Sequence, residues 1–196
     1  MSVIGQPLSP PAPAGVETRT SGLVVVVPPA ALPVTAAAAI AHLRLAPDTD
    51  AAYLELLIAA ATAHAEDAME CSLMPRTLTA TYYDDEPLRL RRGPLLELLS
   101  VAGRGDETSA GYELRHAGHA AFVVLTTDAL AYPISVTYRA GYESAGAVPA
   151  DVRLAILAHV GTLYENRESA SDKAVKAVPH HLDDFYRLKR RSAVIK

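Results

Sequence analysis

Apolar residues recur every three or four positions in two long segments, one in each half of the chain. This spacing places the apolar side chains on one face of a helix and so predicts amphipathic helices. In the first segment the repeating positions are Leu54, Leu57, Ile58, Ala61, Ala65, Ala68 and Met69. Thr35 and either Thr49 or Asp50 stand where a helix is capped. The predicted helices cover about 35–44, 50–70 and 150–167, with a last short helix over 182–191.

Between the second and third helices the pattern shortens to alternating or β-branched runs separated by turns. Leu88 and Leu90 alternate with Arg89 and Arg91, which is the pattern of a strand with one buried face. Similar runs lie at 77–83, 95–101, 112–115, 120–125 and 134–139. Short strands with turns between them predict a small antiparallel sheet or barrel. The predicted fold class is therefore α+β: a small helical bundle with an antiparallel β-insert over about 77–139.

Proline and charge are concentrated towards the two ends of the chain. Seven of the 14 prolines lie in the first 33 residues, and residues 1–22 are predicted to form a flexible, proline-rich arm. Residues 23–27 (LVVVV) follow as a short strand or extended segment of a domain that covers 23–170. From Asp172 onward seven basic and three acidic side chains give +4, whereas the whole chain carries −4. Residues 171–196 are therefore predicted to be a flexible basic arm, either simply solvated or in contact with a partner of its own.

The sequence contains none of the short motifs that mark common catalytic or nucleotide-binding sites. It has no glycine-rich phosphate loop, no nucleophile elbow and no zinc-protease helix. Its one cysteine, Cys71, excludes an internal disulfide, and the apolar pattern around it predicts a buried thiol. We predict a non-enzymatic chain without cofactor or metal. A hydrolase with an unrecognised site is the weakest alternative.

Two histidine pairs are the candidates for a metal site. His116 and His119 flank a glycine in a predicted hairpin, with no carboxylate or cysteine nearby to complete a site. His180 and His181 precede two aspartates, but adjacent side chains rarely point at one centre. A further histidine, His159, falls on the apolar face of the third helix, where a packed core residue is predicted.

Three arginines lie close to two tyrosines in the predicted β-insert. Arg89, Arg91 and Arg92 follow Tyr82 and Tyr83, a combination that also occurs on nucleic-acid-binding surfaces. On an alternating strand, however, Arg89 and Arg91 simply occupy the solvent face. The basic C-terminal arm is a second feature that attracts phosphate. One alternative function is therefore kept, a nucleic-acid-binding accessory protein that acts through its basic tail.

No segment predicts a membrane span or a secretory signal. The most apolar candidate, residues 51–65, is shorter than the ~20 residues that a bilayer requires and contains Glu55 and His64. The first residues are polar and proline-rich, without the basic and leucine-rich regions of a signal peptide. The expectation is a protein made in the cytoplasm, with no membrane partner.

Three segments carry a family resemblance through their order and spacing. The first is a pair of helical stretches, VTAAAAIAHLRL at 34–45 and DAAYLELLIAAATAHAEDAME at 50–70. The second is VTYRAGY at 136–142, followed by a helix that ends in YENRE at 164–168. The third is LDDFYR at 182–187. Together they resemble the head–tail connector (adaptor) family of tailed bacteriophages and phage-derived gene transfer agents.

This resemblance implies a structural protein of the virion or gene transfer agent particle, located at the head–tail junction. Such proteins form a ring, typically of twelve copies, beneath the portal protein. The ring extends the DNA channel, through which DNA passes without sequence-specific binding, and gives the next tail or stopper protein a docking surface. The resemblance implies an arm that reaches the portal through Leu182, Phe185, Tyr186, Arg187, Lys189, Arg190 and Arg191. Contacts between subunits are expected at Leu54, Leu57, Tyr164 and Arg167.

Overall fold

Helices and strands follow one another in the predicted order, with the β-insert between the second and third helices. The computed structural model describes residues 20–83, 87–104, 111–117, 120–126, 132–166 and 180–190. The helices are α1 (Ala36–Leu43), α2 (Ala51–Met69), α3 (Ala150–Glu165) and α4 (His180–Leu188). The strands are β1 (Thr20–Val27), β2 (Arg76–Tyr82), β3 (Leu88–Leu90), β4 (Leu95–Ala102), β5 (Tyr112–Ala117), β6 (Ala120–Leu125) and β7 (Ile134–Ala140). The α+β class is confirmed.

The first two helices begin at capping side chains that the sequence predicts. The Thr35 hydroxyl accepts a hydrogen bond from the backbone N–H of Ala38 at 3.1 Å. The carboxylate of Asp50 accepts from the backbone N–H groups of Ala52 and Tyr53, at 3.0 and 3.2 Å. These bonds satisfy amide groups that have no partner inside the first helical turn. Of the two candidates for the cap of α2, the aspartate is therefore the one that makes the bonds.

The four helices share one hydrophobic core, in which α2 and α3 pack against each other and also against α1 and α4. Ile58, Ile156 and Tyr186 are fully buried there. Gly161 permits a close approach of α1, because an added Cβ at this position would lie 2.9 Å from Leu43 Cδ2. Among the described residues, no helix has both the length and the apolar character that crossing a lipid bilayer requires.

The β-insert and strand β1 together form two antiparallel sheets that share a second hydrophobic core. The larger sheet has the order β1-β2-β7-β4 and the smaller one the order β3-β6-β5. At the centre of the larger sheet, β2 and β7 pair in regular register, with Leu78 opposite Tyr138 and Ala80 opposite Val136. These side chains are fully buried, as is Val123 from the smaller sheet. The predicted sheet or barrel is thus a pair of sheets.

Strand β3 shows the predicted alternation, since its two leucines are buried and the arginines at 89 and 91 are exposed. The backbone carbonyls of these arginines accept hydrogen bonds from two buried tyrosines of the larger sheet. Tyr82 Oη donates to the carbonyl of Arg89 at 2.5 Å. Tyr138 Oη donates likewise to the carbonyl of Arg91 at 2.7 Å. Burial raises the pKa of both tyrosines far above the ordinary value, so both hydroxyls stay protonated donors at neutral pH.

Two ion pairs connect the end of α2 to the β-insert. Glu66 is buried and accepts hydrogen bonds from Arg76 Nη2, at 2.6 Å to each carboxylate oxygen, and from the backbone N–H of Leu73 at 2.7 Å. The next residue, Asp67, lies on the exposed side of α2 and pairs with Arg92. The buried pair is fully hydrogen-bonded on the carboxylate side, which offsets the cost of removing it from water.

Candidate assembly interface

Helix α4, within the predicted C-terminal arm, packs against α2 and α3. Leu182 and Tyr186 point into the helical core, with 6% and 0% of their surface exposed. Phe185 is half-buried beside them, and its ring lies 5.8 Å from that of Tyr186 between centroids. Burying a side chain of this size stabilises a fold by roughly 1.5–3 kcal/mol. The apolar side of α4 is therefore covered by the chain's own helices.

Three side-chain pairs, two of them ion pairs and one a histidine–carboxylate hydrogen bond, join α4 and the residues just after it to the body. They are Asp183–His64 (2.8 Å), Lys189–Asp151 (2.6 Å) and Arg190–Glu70. A hydrogen bond from the Lys189 ammonium holds the pKa of the Asp151 carboxyl below its usual range. All three pairs are partly exposed, and such pairs contribute about 1 kcal/mol or less. Two basic residues of the arm are thus already paired with acids of the body.

A cluster of titratable rings lies where α2, α3 and α4 meet. His159 is 2% exposed, which confirms the predicted packed histidine. Its ring lies edge-on to that of His64 at 5.2 Å between centroids, and His64 lies 6.0 Å from Tyr186. Neither Nδ1 of His159 nor the hydroxyl of Tyr186 has a hydrogen-bond partner among the described residues. Burial, and then the neighbouring His64, lower the pKa of His159.

We expect this histidine to make the protein less stable in acid. In the unfolded chain His159 titrates near 6.5, whereas in the folded chain its pKa is lower. Between these two pKa values the unfolded state therefore binds more protons than the folded state. The contribution of His159 to the free energy of unfolding is fully present above the unfolded pKa, and it is lost as the pH falls from that pKa to the lower pKa of the folded chain. Urea unfolding from about pH 8 to about pH 5 measures the effect, and His159→Gln is expected to flatten the slope.

The control for this prediction is His42→Gln, at an exposed histidine of α1. It is expected to keep the pH dependence of the unmodified chain. Equal slopes for the unmodified chain and His159→Gln would show that other groups set the acid sensitivity.

The cavity between the β-insert and the end of α2 measures about 350 Å³. Its walls carry charges of both signs: Asp67 and Glu70 from α2, and Arg89, Arg91 and Arg92 from the insert. Both acids are paired with arginines. The described lining contains no histidine and no nucleophile, so the arrangement serves as a charged junction between the two parts of the fold.

The predicted metal candidates do not form a cluster within the described ranges. His116 is exposed on β5, and His119 lies outside the residues that the structure describes. No group of three or more histidine, cysteine or acidic side chains is placed to hold a metal ion in the described part of the chain. The one cysteine of the chain, Cys71, is buried, as predicted.

The predicted portal-binding residues divide between two sides of α4. Leu182 and Tyr186 are buried, whereas Arg187, Lys189 and Arg190 are exposed. Arg191 lies outside the described residues. Their contact with a portal stays a prediction, and in this conformation the surface available to a partner carries these basic residues and Leu188, which is 85% exposed.

The predicted inter-subunit residues lie mostly inside the subunit. Leu54 and Leu57 are buried, Leu57 as part of the helical core, and Tyr164 is half-buried, with its ring centroid 6.3 Å from that of Tyr53. Arg167 lies outside the described residues. In the single subunit, Leu54 and Leu57 are covered by their own chain, and their contact with a neighbouring subunit stays a prediction.

The outward face of α2 carries an exposed leucine that the helical pattern did not single out. Leu56 is 65% exposed, and Ala59, Ala60 and Ala63 follow it on the same exposed side. The core period of α2 runs through Leu54 and its neighbours, so Leu56 falls on the opposite face. The sequence signal that identifies this exposed surface is an apolar residue, Leu56, that does not fit the spacing of the buried positions of α2.

Strand β1 exposes a second apolar surface that sequence reasoning did not assign. Val24, Val25, Val26 and Val27 are 48–59% exposed, although β1 pairs with β2 along its length. Four consecutive β-branched residues without alternation are typical of a strand covered on both faces. In this structure, the described residues of the chain leave these four valine side chains half-exposed.

Comparison with known proteins gives a likeness to solved structures only. No family model matches the chain, and no curated protein matches it. A chain in the neck of an empty GTA particle, computed with C6 symmetry, is 19% identical, with a TM-score of 0.68 over 89% of this chain and 98% of that chain. A chain in the virion of a native gene transfer agent (GTA) particle is 19% identical, with a TM-score of 0.65 over 88% and 97%. In the neck of a native GTA particle computed with C12 symmetry, a chain is 20% identical, with a TM-score of 0.61 over 89% and 98%.

These alignments span nearly all of the matched chains, so the likeness covers the helical core and the β-insert together. It does not depend on one common supersecondary unit. The chain therefore has the fold of proteins found in gene transfer agent particles, including the particle neck.

Proposed function

We propose that the chain is a head–tail adaptor, a non-enzymatic structural protein of a tailed bacteriophage or gene transfer agent particle. It forms a ring beneath the portal, extends the DNA channel and gives the next tail or stopper protein a docking surface. The observation that carries the proposal is the likeness to a chain of a GTA particle neck, which covers 98% of that chain. The three sequence motifs at 34–70, 136–168 and 182–187 support the same assignment.

The proposed ring has twelve copies. A neck structure with C12 symmetry contains a chain of the same fold, which supports this number. A closed ring requires heterologous contacts, in which one surface of each subunit meets a different surface of its neighbour. The exposed face of α2 around Leu56 and the exposed β1 are two surfaces of this chain that are apolar enough to take part.

In this proposal the arm meets the portal through its basic side. Leu182 and Tyr186 hold α4 on the body, and the half-buried Phe185 lies at the border of the contact. Arg187 is exposed, and the structure gives it no ion pair among the described residues. Its guanidinium is therefore available to a carboxylate on an acidic portal surface, a pairing in which arginine is favoured at interfaces.

Charge reversal at Arg187 is the direct test of the arm. Arg187→Glu is expected to weaken binding to the portal by about tenfold or more, equivalent to about 1.4 kcal/mol, because an attractive charge becomes a repulsive one. Binding is measured by titrating the purified chain against portal rings of the same particle, with electron microscopy of the complex. The residue is exposed, so the free energy of unfolding is expected to change by less than about 0.5 kcal/mol.

The matched control is Arg115→Glu, which makes the same charge change on β5, far along the chain from α4. Arg115 is exposed, and among the residues that the structure describes it pairs with the neighbouring Glu113. Unchanged portal affinity for Arg187→Glu would remove the arm from the portal contact. Absence of any complex between the unmodified chain and the portal would remove the adaptor function itself.

The alternative, a nucleic-acid-binding accessory protein, has less support. Lys189 and Arg190 are both paired with acids of the body, so part of the arm's positive charge is neutralised. Tight DNA binding that falls steeply with salt and follows the charge of the arm, together with no portal complex, would favour it over the adaptor.

A further inference from the structure

The two outer strands of the larger sheet have open edges. Among the described strands, β1 pairs only with β2, and β4 pairs only with β7. An open edge presents a row of unpaired backbone N–H and C=O groups that another strand can bind. Natural edge strands are usually protected by charged residues, proline or β-bulges. The pairing of β1 with β2 is irregular between Thr20 and Leu23 and between Val25 and Val27, but no charge or proline adds to this protection. Strand β1 therefore keeps an uncharged edge between Thr20 and Val27.

The exposed side chains on β1 are apolar, and the opposite edge matches them. Val24 and Val26 are 59% and 55% exposed, while Leu99 on β4 is 46% exposed. The one charged residue of β4, Glu97, pairs with Arg139 of the adjacent β7 at 3.3 Å. Its charge is therefore balanced within the sheet, and β4 brings no unpaired charge to the uncharged β1. Contiguous exposed apolar surface of this kind marks an interaction site.

The directions of the two edges are also complementary. All neighbouring strands in the order β1-β2-β7-β4 are antiparallel, so the first and fourth strands run in opposite directions. A second copy placed beside the first in the same orientation brings its β4 next to β1 as an antiparallel neighbour. The alternation of the sheet then continues across the subunit boundary. Copies related by rotation in a ring meet in this head-to-tail way.

We propose that β1 of one subunit pairs with β4 of the next, so that the larger sheets form the lateral contact of the ring. This inference rests on the proposed ring-forming function and adds the surface through which the copies meet. The occupant of each open edge is a second copy of this chain, because the chain itself supplies an apolar strand of the required direction. Val24 and Val26 are then covered by the neighbour's β4, which accounts for their exposure in the single subunit.

Disulfide trapping tests the pairing in the full chain. Directly opposed residues on antiparallel strands have Cβ atoms about 4.5–5.5 Å apart, close enough for a disulfide after modest adjustment. Two double variants, Val24→Cys with Leu99→Cys and Val26→Cys with Leu99→Cys, sample two registers. A short bismaleimide is used in parallel to cross-link cysteine pairs whose register lies between these two and whose sulfur atoms are too far apart for a disulfide. The reaction is run on the purified chain under conditions where the unmodified chain forms rings, with portal added if the portal is needed.

The expected result is a ladder of covalent multimers that extends up to the closed ring for at least one double variant. Each single cysteine variant is expected to stay monomeric on a denaturing gel. The native Cys71 is 3% exposed and provides the buried-thiol control. Covalent dimers from Val24→Cys or Val26→Cys alone would indicate that two β1 strands meet, and would overturn the proposal.

A second measurement separates this inference from the proposed function. Val26→Lys places a charge in the proposed contact and is expected to reduce ring formation at least tenfold, whereas Leu154→Lys, at a 56% exposed leucine of α3, is the matched control. Two results together would overturn the edge pairing and leave the adaptor function in place. The Val26→Lys variant would form rings normally, and neither double cysteine variant would give a covalent ladder. A chain that forms no ring and binds no portal would overturn both.

Discussion

Replacing Gly141 with alanine is expected to prevent folding or to lower the free energy of unfolding by about 4 kcal/mol or more. Gly141 has a φ of 128°, which side-chain-bearing residues rarely adopt, and an added Cβ would lie 2.4 Å from the carbonyl oxygen of Met74. It would also lie 2.8 Å from the backbone nitrogen of Pro75. Both atoms belong to the backbone that joins α2 to β2, so they move only if the strand pairing shifts. Urea unfolding followed by circular dichroism measures the loss.

The chain provides a matched control in Gly22→Ala. Gly22 also has a positive φ, 100°, but no atom lies within 4 Å of the position of an added Cβ. This variant carries only the backbone strain, about 1–2 kcal/mol. The difference between the two variants measures the steric part. Similar losses in both would show that the close approach of Met74 to Gly141 has no energetic effect.

Truncating Tyr186 to alanine is expected to release α4 from the helical core. The ring is fully buried between α2 and α3, and removing an aromatic ring from such a site costs about 3–5 kcal/mol. The remaining contacts of α4 are Leu182, the half-buried Phe185 and three partly exposed polar pairs, and they bury too little apolar surface to replace the ring. Amide hydrogen exchange is expected to accelerate more over residues 180–188 than over β2 and β7.

The control is Tyr186→Phe, which keeps the ring and removes the hydroxyl. That hydroxyl is buried and has no hydrogen-bond partner among the described residues, so its removal is expected to change stability by less than about 1 kcal/mol or to increase it. A loss as large for phenylalanine as for alanine would show that the hydroxyl, and not the ring, holds α4.

The helices were predictable because their signals are local. Thr35 and Asp50 cap α1 and α2 through bonds to residues two or three positions away, and the apolar period of α2 spans five turns. The alternation of β3 was likewise visible in four residues. In each case the sequence neighbours that decide the structure lie within one or two turns of the chain.

The partners of these elements could not be predicted, because periodicity identifies a face and not what covers it. Leu54 and Leu57 are apolar at helical spacing whether the face meets another helix of the same chain or a second subunit. The same holds for Leu182 and Tyr186, which pack against the chain's own core. The sheet order β1-β2-β7-β4 depends on pairings between strands that are far apart in sequence, which the local pattern does not encode.

The candidate interface was predictable in part for the same reason. The basic side of α4 follows from composition, since exposed arginine and lysine need no partner to be identified. The exposed edge of β1 did not follow, because LVVVV is equally typical of a strand in the middle of a sheet. Only the strand order places it at an edge.

The pairing of β2 with β7, with Arg76 opposite Ala140, means that the inserted segment leaves and rejoins the helical part of the chain at one place. A segment whose two ends adjoin can be exchanged for another of different length without moving the elements on either side of it. Because β1 precedes α1 and completes the larger sheet, a replacement insert has to keep an edge with which β1 can pair. Recombination between related genes can exchange the insert under that condition and leave the helical core and its contacts in place.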